Sequence, residues 1–288
     1  MWNGGLSNPM DISIIILNYK SKGLLKQCLK GLKLLSFRFS HEIIVLDNNS
    51  QDGTDVMMRV EFPDIIFFEN VENRGFAAGM NVGIRHAQGN YILMLNPDIA
   101  VLGNPIERML EFMEQHPNVG ICGPKLLNPD GTVQTSCREF QTFSTILYRR
   151  TPLGKLPFAR KRLRKFLMLD WSHSENRAVD WLLGACMMVR RSAVEKVGLL
   201  DERFFLYFED MDWCRRFWQA GYAVYYLGAV AEIVHYHRRQ SAESPGLSGL
   251  LSYPTRLHLA SALKYFGKYL FVKCPNSEYA FSKKESKP

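Results

Sequence analysis

Five short apolar runs separated by helix-patterned stretches constrain this chain more than any other feature of its sequence. Ile12–Leu17 is a continuous run of the kind buried on both faces of a sheet. Glu42–Asp47, Ile65–Phe68, Tyr91–Leu95 and Val119–Cys122 follow as further strands. Helical patterns fill the gaps at Leu24–Leu35, Phe76–Ala87 and Pro105–Gln115, the last opening with a proline suited to a first helical turn. This alternation predicts an α/β domain built on a mostly parallel sheet. Ligands of such sheets sit at the carboxyl ends of the strands. Three polar clusters fall there: Asn18-Tyr19, Asp47-Asn48-Asn49 and Asn96-Pro97-Asp98.

The second half has a different texture. Asn128-Pro129-Asp130-Gly131 signals a hairpin turn. Arg149–Lys165 is strongly basic, with Leu153, Leu156, Phe158, Leu163 and Phe166 on or beside it, and its spacing suits an amphipathic helix. Val179–Val189 reads as a strand broken at Gly184, Asp210–Ala220 as a helix closed by Gly221, and Ala223–Leu227 and Ala231–Val234 as two strands. Tyr253–Phe271 predicts an amphipathic terminal helix, followed by a polar tail expected to lack order. With no internal repeat and no low-complexity linker, a single elaborated domain is expected.

Composition sets the surroundings. A formal charge of +8 over 288 residues favours an anionic partner, whether a nucleotide diphosphate, a lipid phosphate, a membrane surface or nucleic acid. Cys28, Cys122, Cys137, Cys186, Cys214 and Cys274 are scattered without metal-ligand or redox spacing, and several lie in apolar runs, which predicts buried thiols in a reducing compartment. The opening Met1–Leu6 has neither the basic start nor the apolar stretch of a secretory signal, and the residues before Met10 read as an extension. No apolar run approaches the ~20 residues that span a bilayer. A cytoplasmic protein is expected, at most lying on a membrane through the basic segment 149–166.

Several positions can carry chemistry. Asp47, at the end of a buried strand, can accept hydrogen bonds from a base or ribose, while Ser50 and Asp52 can equally cap the next helix. Asp98 can hold a hard divalent cation against a diphosphate, or be a solvated turn residue. Phe204–Phe208 leads straight into Glu209-Asp210-Met211-Asp212. Apolar surroundings there raise a carboxyl pKa, as a general base requires, and acids also suit a helix N-terminus. His235 and His237 share one strand face, and either a metal-ligand or a surface role fits them. In Asn73–Asn81, Arg74 can meet a phosphate or carboxylate. Gly75 and Gly79 allow close backbone approach to a ligand or tight packing on the sheet.

Taken in order, these stretches resemble glycosyltransferase family 2, in particular its rhamnosyltransferase-like branch. The residues that carry the likeness are Ile14–Tyr19, Asp47–Gly53, Asn73–Ala77, Asn96-Pro97-Asp98, Trp181–Cys186, Gly198–Phe205, Glu209–Asp212 and His235. The resemblance implies the GT-A fold, a Rossmann-like sheet with helices on both faces and an elaborated acceptor-binding half. It divides a single 11–272 domain into a nucleotide-sugar half (11–124), an acceptor and catalytic half (125–240) and a terminal helix (253–272). Asn18, Asp47, Asn49, Arg74, Asn96 and Asp98 would then bind the nucleotide-sugar, dTDP- or UDP-linked. Asp98 and His235 would ligate Mg²⁺ or Mn²⁺, with Asn96 standing where the family's D-x-D motif has its first aspartate. Asp210 corresponds to the catalytic base, and Glu209, Asp212 and Trp181 would bind the acceptor, a glycan on a lipid carrier. The implied reaction inverts the anomeric centre, with dTDP-L-rhamnose the favoured donor and UDP-hexose or galactofuranose the alternative.

Other functions fit less well. A sugar-phosphate nucleotidyltransferase is expected to carry a Gly-rich basic loop after its first strand, where this chain has Asn18-Tyr19-Lys20-Ser21. A processive polysaccharide synthase brings membrane helices and a Gln-x-x-Arg-Trp motif, which Arg215–Gln219 does not match. A non-catalytic nucleic-acid or lipid binder would rest on charge alone and leave the strand-end acids without a role.

Overall fold

The computed structural model describes residues 10–236 and 252–275. The opening extension, His237 and most of the polar tail lie outside the described residues. The first half runs β1 (Ile12–Asn18), α1 (Lys22–Lys33), β2 (His41–Asp47), α2 (Thr54–Glu61), β3 (Ile66–Glu69), α3 (Phe76–His86) and β4 (Tyr91–Leu95). These four strands pair in parallel in the order β3-β2-β1-β4. All of β1 is buried, as its unbroken apolar run requires. Its one hydroxyl, on Ser13, donates to Glu42 Oε1 at 2.6 Å and accepts from Gly89 N at 2.8 Å, so no buried polar group is stranded there. The α3 glycines serve packing. A Cβ on Gly79 would lie 2.7 Å from Leu17 Cδ1, and one on Gly83 would lie 2.5 Å from Ile15 Cγ2, so the helix lies flush on the sheet.

The chain continues through β5 (Ile99–Ala100), α4 (Pro105–Gln115), β6 (Val119–Leu127), β7 (Cys137–Arg138), α5 (Phe143–Arg150), α6 (Pro157–Phe166), β8 (Asn176–Ala178) and β9 (Trp181–Leu182). It ends with β10 (Cys186–Arg190), α7 (Arg191–Val197), α8 (Glu209–Gln219), β11 (Ala223–His235) and α9 (Tyr253–Lys268). β10 enters the sheet antiparallel between β4 and β6, and β11 runs parallel to β6. The result is a mixed α/β architecture on a mostly parallel sheet. Its second half supplies central strands, and one apolar core runs through both halves.

Three expectations need correction. Ala223–Leu227 and Ala231–Val234 belong to one strand, β11, whose register against β6 shifts between Leu227 and Glu232. The glycine inside that shift allows close approach: a Cβ on Gly228 would lie 2.4 Å from His173 O. The basic segment is two helices rather than one, because Pro152 opens a 3₁₀ turn (Pro152–Lys155) and Pro157 opens α6. The terminal helix stops at Lys268, short of Phe271. The thiols follow expectation with one exception: Cys274 is exposed, and the other five are buried and free. Among the described residues no helix is long and apolar enough to cross a membrane.

Candidate active site

At the carboxyl edge of β1 and β2, Asn18 and Asp47 face each other. Asn18 Nδ2 donates to Asp47 Oδ1 at 2.7 Å and lies 3.2 Å from the hydroxyls of Ser50 and Thr54. Asp47 also accepts from Ser50 N and Ser50 Oγ, so both its oxygens are engaged. Both side chains are buried. They lock the two strand ends together, and the side-chain carbonyl oxygen of Asn18 is buried with no hydrogen-bond partner among the described residues. Asn49 holds the loop above, its amide donating to Val71 O at 3.2 Å from a left-handed backbone. The group that does face outward is Tyr19, with a half-exposed ring and the Lys20 ammonium 5.4 Å from its centroid.

β4 ends at Leu95, and the next residues turn under β10. Asn96 N donates to Ala185 O at 2.9 Å, which ties the Asn96–Asp98 turn to the Leu183–Ala185 loop. Asp98 follows, and the short strand β5 pairs with β11 so that Ile99 opposes His235. That register brings His235 Nε2 to 3.3 Å from Asp98 Oδ1. The imidazole Nδ1 lies 2.8 Å from Gln134 Oε1, and Gln134 Nε2 donates to His235 O at 2.8 Å. With Nδ1–H donated to Gln134, Nε2 turns a lone pair toward Asp98, the tautomer a metal-binding histidine needs. Asp98 Oδ1 is buried and accepts no hydrogen bond among the described residues. One carboxylate and one imidazole suit Mn²⁺ or Mg²⁺ when substrate phosphates and water complete the shell. Among the described residues no group of three candidate ligands gathers, so such an ion would depend on its substrate for the rest.

The third element is the head of α8. Gly184 N donates to Asp210 Oδ2 at 3.1 Å and Met211 N to Asp210 Oδ1 at 2.8 Å. Since Ala185 also carries Asn96, one loop spans the gap between the Asp98 turn and Asp210. Burial raises the Asp210 pKa, against the lowering effect of those two N–H groups and of the Arg138 guanidinium. Arg138 is stacked 5.4 Å from the Trp181 ring centroid. Glu209 is more deeply buried, its Oε2 has no hydrogen-bond partner among the described residues, and its pKa is pushed well up by burial and then by the Asp210 charge. Burial thus acts on both carboxyls in the same direction, and more strongly on the enclosed Glu209.

The backbone entering α8 is bent to place them. Tyr207 and Phe208 are both left-handed, at φ 69° and 73°, a costly state for residues with side chains. Two neighbours hold it. Phe76 N donates to Phe205 O at 2.8 Å, a contact that requires Gly75 beside it, whose Cβ would lie 2.2 Å from the same oxygen. From the other side α9 packs His258 against the Tyr207 and Phe208 rings at 5.5 and 5.1 Å, and Ser261 Oγ donates to Leu206 O at 2.9 Å.

Three of the expected site residues make contacts within the fold. Asp212 is fully buried and takes Arg216 Nε at 2.8 Å, Lys268 Nζ at 2.6 Å and Tyr269 Oη at 2.8 Å, so it joins α8 to α9. Trp181 is buried, with its indole N–H donated to Glu139 O at 2.7 Å, and its role is to support Arg138. Arg74 is exposed and pairs with Glu202 at 3.4 Å. Gln134 and Arg138 were not singled out from sequence. Neither lies in a motif or a periodic pattern, and each matters only through a contact across the fold.

The likeness seen in the sequence extends to known proteins. The model of glycosyl transferase family 2 matches residues 13–198. The chain is 32% identical over 212 residues to the low-salt glycan biosynthesis hexosyltransferase Agl10 of Haloferax volcanii, covering 72% of this chain and 61% of that one. It is 26% identical over 250 residues to the N-acetylglucosaminyl-diphospho-decaprenol L-rhamnosyltransferase of Mycobacterium tuberculosis, covering 81% and 78%. Among solved structures, GalNAc-T7 with UDP, GalNAc and Mn²⁺ superposes with a TM-score of 0.63 at 17% identity, over 91% of this chain and 48% of that one. That likeness establishes the GT-A fold. With the family match over most of the chain and the strand-end acids in the expected order, the chain belongs to glycosyl transferase family 2.

Proposed function

We propose that this chain is an inverting glycosyltransferase that moves L-rhamnose from dTDP-L-rhamnose onto a hydroxyl of a lipid-linked, cell-envelope glycan. The observation that carries the reading is Asp210, a base of raised pKa held by Gly184 and Met211 beside the turn that bears Asp98. Asp210 takes the proton from the acceptor hydroxyl as that oxygen forms its bond to the anomeric carbon. The bond from that carbon to the nucleoside diphosphate breaks on the opposite face, and the diphosphate leaves with the electron pair. Glu209, whose pKa burial pushes well up, lies beside Asp210 in the first turn of α8. Tyr19 offers a ring face for the base, above the floor made by Asn18 and Asp47. Asp98 and His235 would hold Mg²⁺ or Mn²⁺, which when bound offsets charge on the departing diphosphate. The rhamnose reading draws on the mycobacterial rhamnosyltransferase, whose name also specifies a polyprenyl-diphosphate-linked acceptor.

A UDP-linked hexose is the second reading, favoured by the hexosyltransferase relative and by the UDP in GalNAc-T7. Transfer assays with dTDP-rhamnose, UDP-hexoses and UDP-galactofuranose decide between them. In any of these, Asp210→Asn should abolish transfer while nucleotide binding persists. Turnover near that of the parent protein would overturn the assignment, and binding of nucleotide without transfer by the parent would favour a non-catalytic binder.

A further inference from the structure

We infer that the outer side of α9, continued by the first turn of α5, is a seat for an anionic lipid surface. α9 has two apolar sides. The inner one, with Ala262 and Tyr265, is buried against the body of the protein. The other begins at Leu259 and passes through Leu263 to the half-buried Phe266, spaced by four and three residues, so these side chains fall on one stripe, and Leu270 follows just past the helix end. Leu263 is 72% and Leu270 69% exposed, and Phe271 beside it is 94% exposed. The stripe does not end with the helix. The Phe266 ring meets the Phe143 ring of α5 at 6.2 Å, edge to face, and Phe143 is itself 70% exposed. Single exposed apolar residues are ordinary, but a continuous ridge across two helices marks a surface that is covered in use.

The charge on the stretch that continues from Phe143 points to what covers it. From residue 143 to residue 166 the chain carries eight lysines and arginines and no aspartate or glutamate. Three of the eight pair with acids just outside that span, Arg162 and Lys165 with Glu139 and Arg164 with Asp170. Lys155, Arg160 and Lys161 are exposed on the helical hairpin that follows Phe143. Apolar side chains flanked by cations of one sign match a leaflet of anionic headgroups over acyl chains, the arrangement of in-plane amphipathic helices. A protein partner would have to supply a matching acidic face and an apolar groove together. The seat extends the basic stretch 149–166 to a second helix, and it stands whether or not the chain transfers a sugar. It also gives α9 two tasks, since its inner side braces the Tyr207–Phe208 turn that leads to Asp210.

The test is flotation of the full chain with vesicles of phosphatidylcholine, alone or mixed with equal parts of phosphatidylglycerol. The chain should float with the anionic vesicles, stay behind with the neutral ones and detach as salt rises. The triple variant Lys155→Glu/Arg160→Glu/Lys161→Glu should weaken binding by about a hundredfold or more. Leu263→Ser/Phe143→Ser should weaken it at unchanged charge. All substituted positions are exposed, and unchanged circular dichroism and nucleotide binding confirm the fold. Asp210→Asn should float like the parent, which separates failure of the lipid seat from failure of the catalytic assignment. No flotation, equal binding to neutral vesicles, or variants that float like the parent would overturn the inference. So would a dimer in sedimentation that Leu263→Ser dissociates without any vesicle binding, which would assign the ridge to a second copy of the chain.

Discussion

Asp98 Oδ1 lies 3.3 Å from His235 Nε2, and Gln134 fixes the far side of the same imidazole at 2.8 Å. The pair exists because β5 is two residues long and places Ile99 opposite His235 on β11. If the pair binds a divalent cation, its supporting glutamine controls the affinity. Gln134→Leu removes the acceptor for Nδ1–H, freeing the ring to turn and to adopt the wrong tautomer. Affinity for Mn²⁺ in the presence of nucleotide should fall by about 10- to 100-fold, measured by calorimetry. Asp98→Ala should remove both the activity and its stimulation by Mn²⁺. An Asp98→Ala protein still fully stimulated would refute the ligand role.

Glu209 and Asp210 set a pH dependence whose sign follows from their burial. Both folded pKa values are raised, so between the ordinary carboxyl range near ~4 and the raised values the folded protein binds more protons than the unfolded chain. Stability therefore falls as pH rises through that window and is greatest, as far as this pair is concerned, below it. Glu209→Gln should flatten that slope in urea unfolding followed from acid to neutral pH. Activity runs the other way. It should be lost on acidification as Asp210 gains its proton, with an acid limb in kcat/KM above the value of a free aspartate. A limb at or below that value would remove the desolvated base from the mechanism.

Lys268 reaches Asp212 at 2.6 Å and Asp201 at 2.7 Å, tying the end of α9 to the first turn of α8 and to the loop before it. Asp212 is buried without solvent contact, so loss of a partner is felt by the whole helix head. Asp212→Ala, which leaves Arg216 without a carboxylate partner and Lys268 with Asp201 alone, should destabilise by about 3–5 kcal/mol. Lys268→Met leaves Arg216 and Tyr269 on the carboxylate and should cost less. Its kinetic effect is the more telling one, because a shift of α8 moves Asp210 and leaves the nucleotide floor untouched. A fall in kcat of about tenfold or more at constant donor KM is expected. A change confined to KM would mean that α9 does not position the base.

The α/β core was legible because it is written locally. The Ile12–Leu17 run, Gly79 and the three strand-end clusters are each marked by a pattern of a few neighbouring residues. The site was legible only as a set of candidates. Sequence order could place Asp98 and Asp210 at the ends of their elements, but not distinguish an acid that faces a cleft from one that is enclosed. Asp212 shows the limit. It lies two residues from Asp210 in an acidic run, and its role is decided by Lys268 and Tyr269, more than fifty residues away. Gln134 and Arg138 act through partners also far along the chain, His235 and Trp181, so no local pattern marks them.

Gly75 is where the head of α3 touches the turn that leads into α8. Its φ of 93° disfavours any L side chain, and an added Cβ would stand 2.2 Å from Phe205 O and 2.7 Å from Phe205 Cα. Both obstacles are backbone, so neither can swing aside. The hydrogen bond from Phe76 N to Phe205 O would break or the Leu206–Phe208 turn would move, and Tyr207 and Phe208 are already left-handed. Gly75→Ala should therefore cost about 2 kcal/mol or more, read in urea unfolding. Gly103→Ala is the control, with a similar φ of 70° and open space around its Cβ, and should cost less because only backbone conformation is strained. The difference between the two isolates the contact with Phe205. If that contact sets the entry to α8, Gly75→Ala should also lose transfer activity under conditions where it remains folded, while Gly103→Ala keeps it. Equal activities in the two folded variants would show that the Gly75–Phe205 contact supports the fold alone.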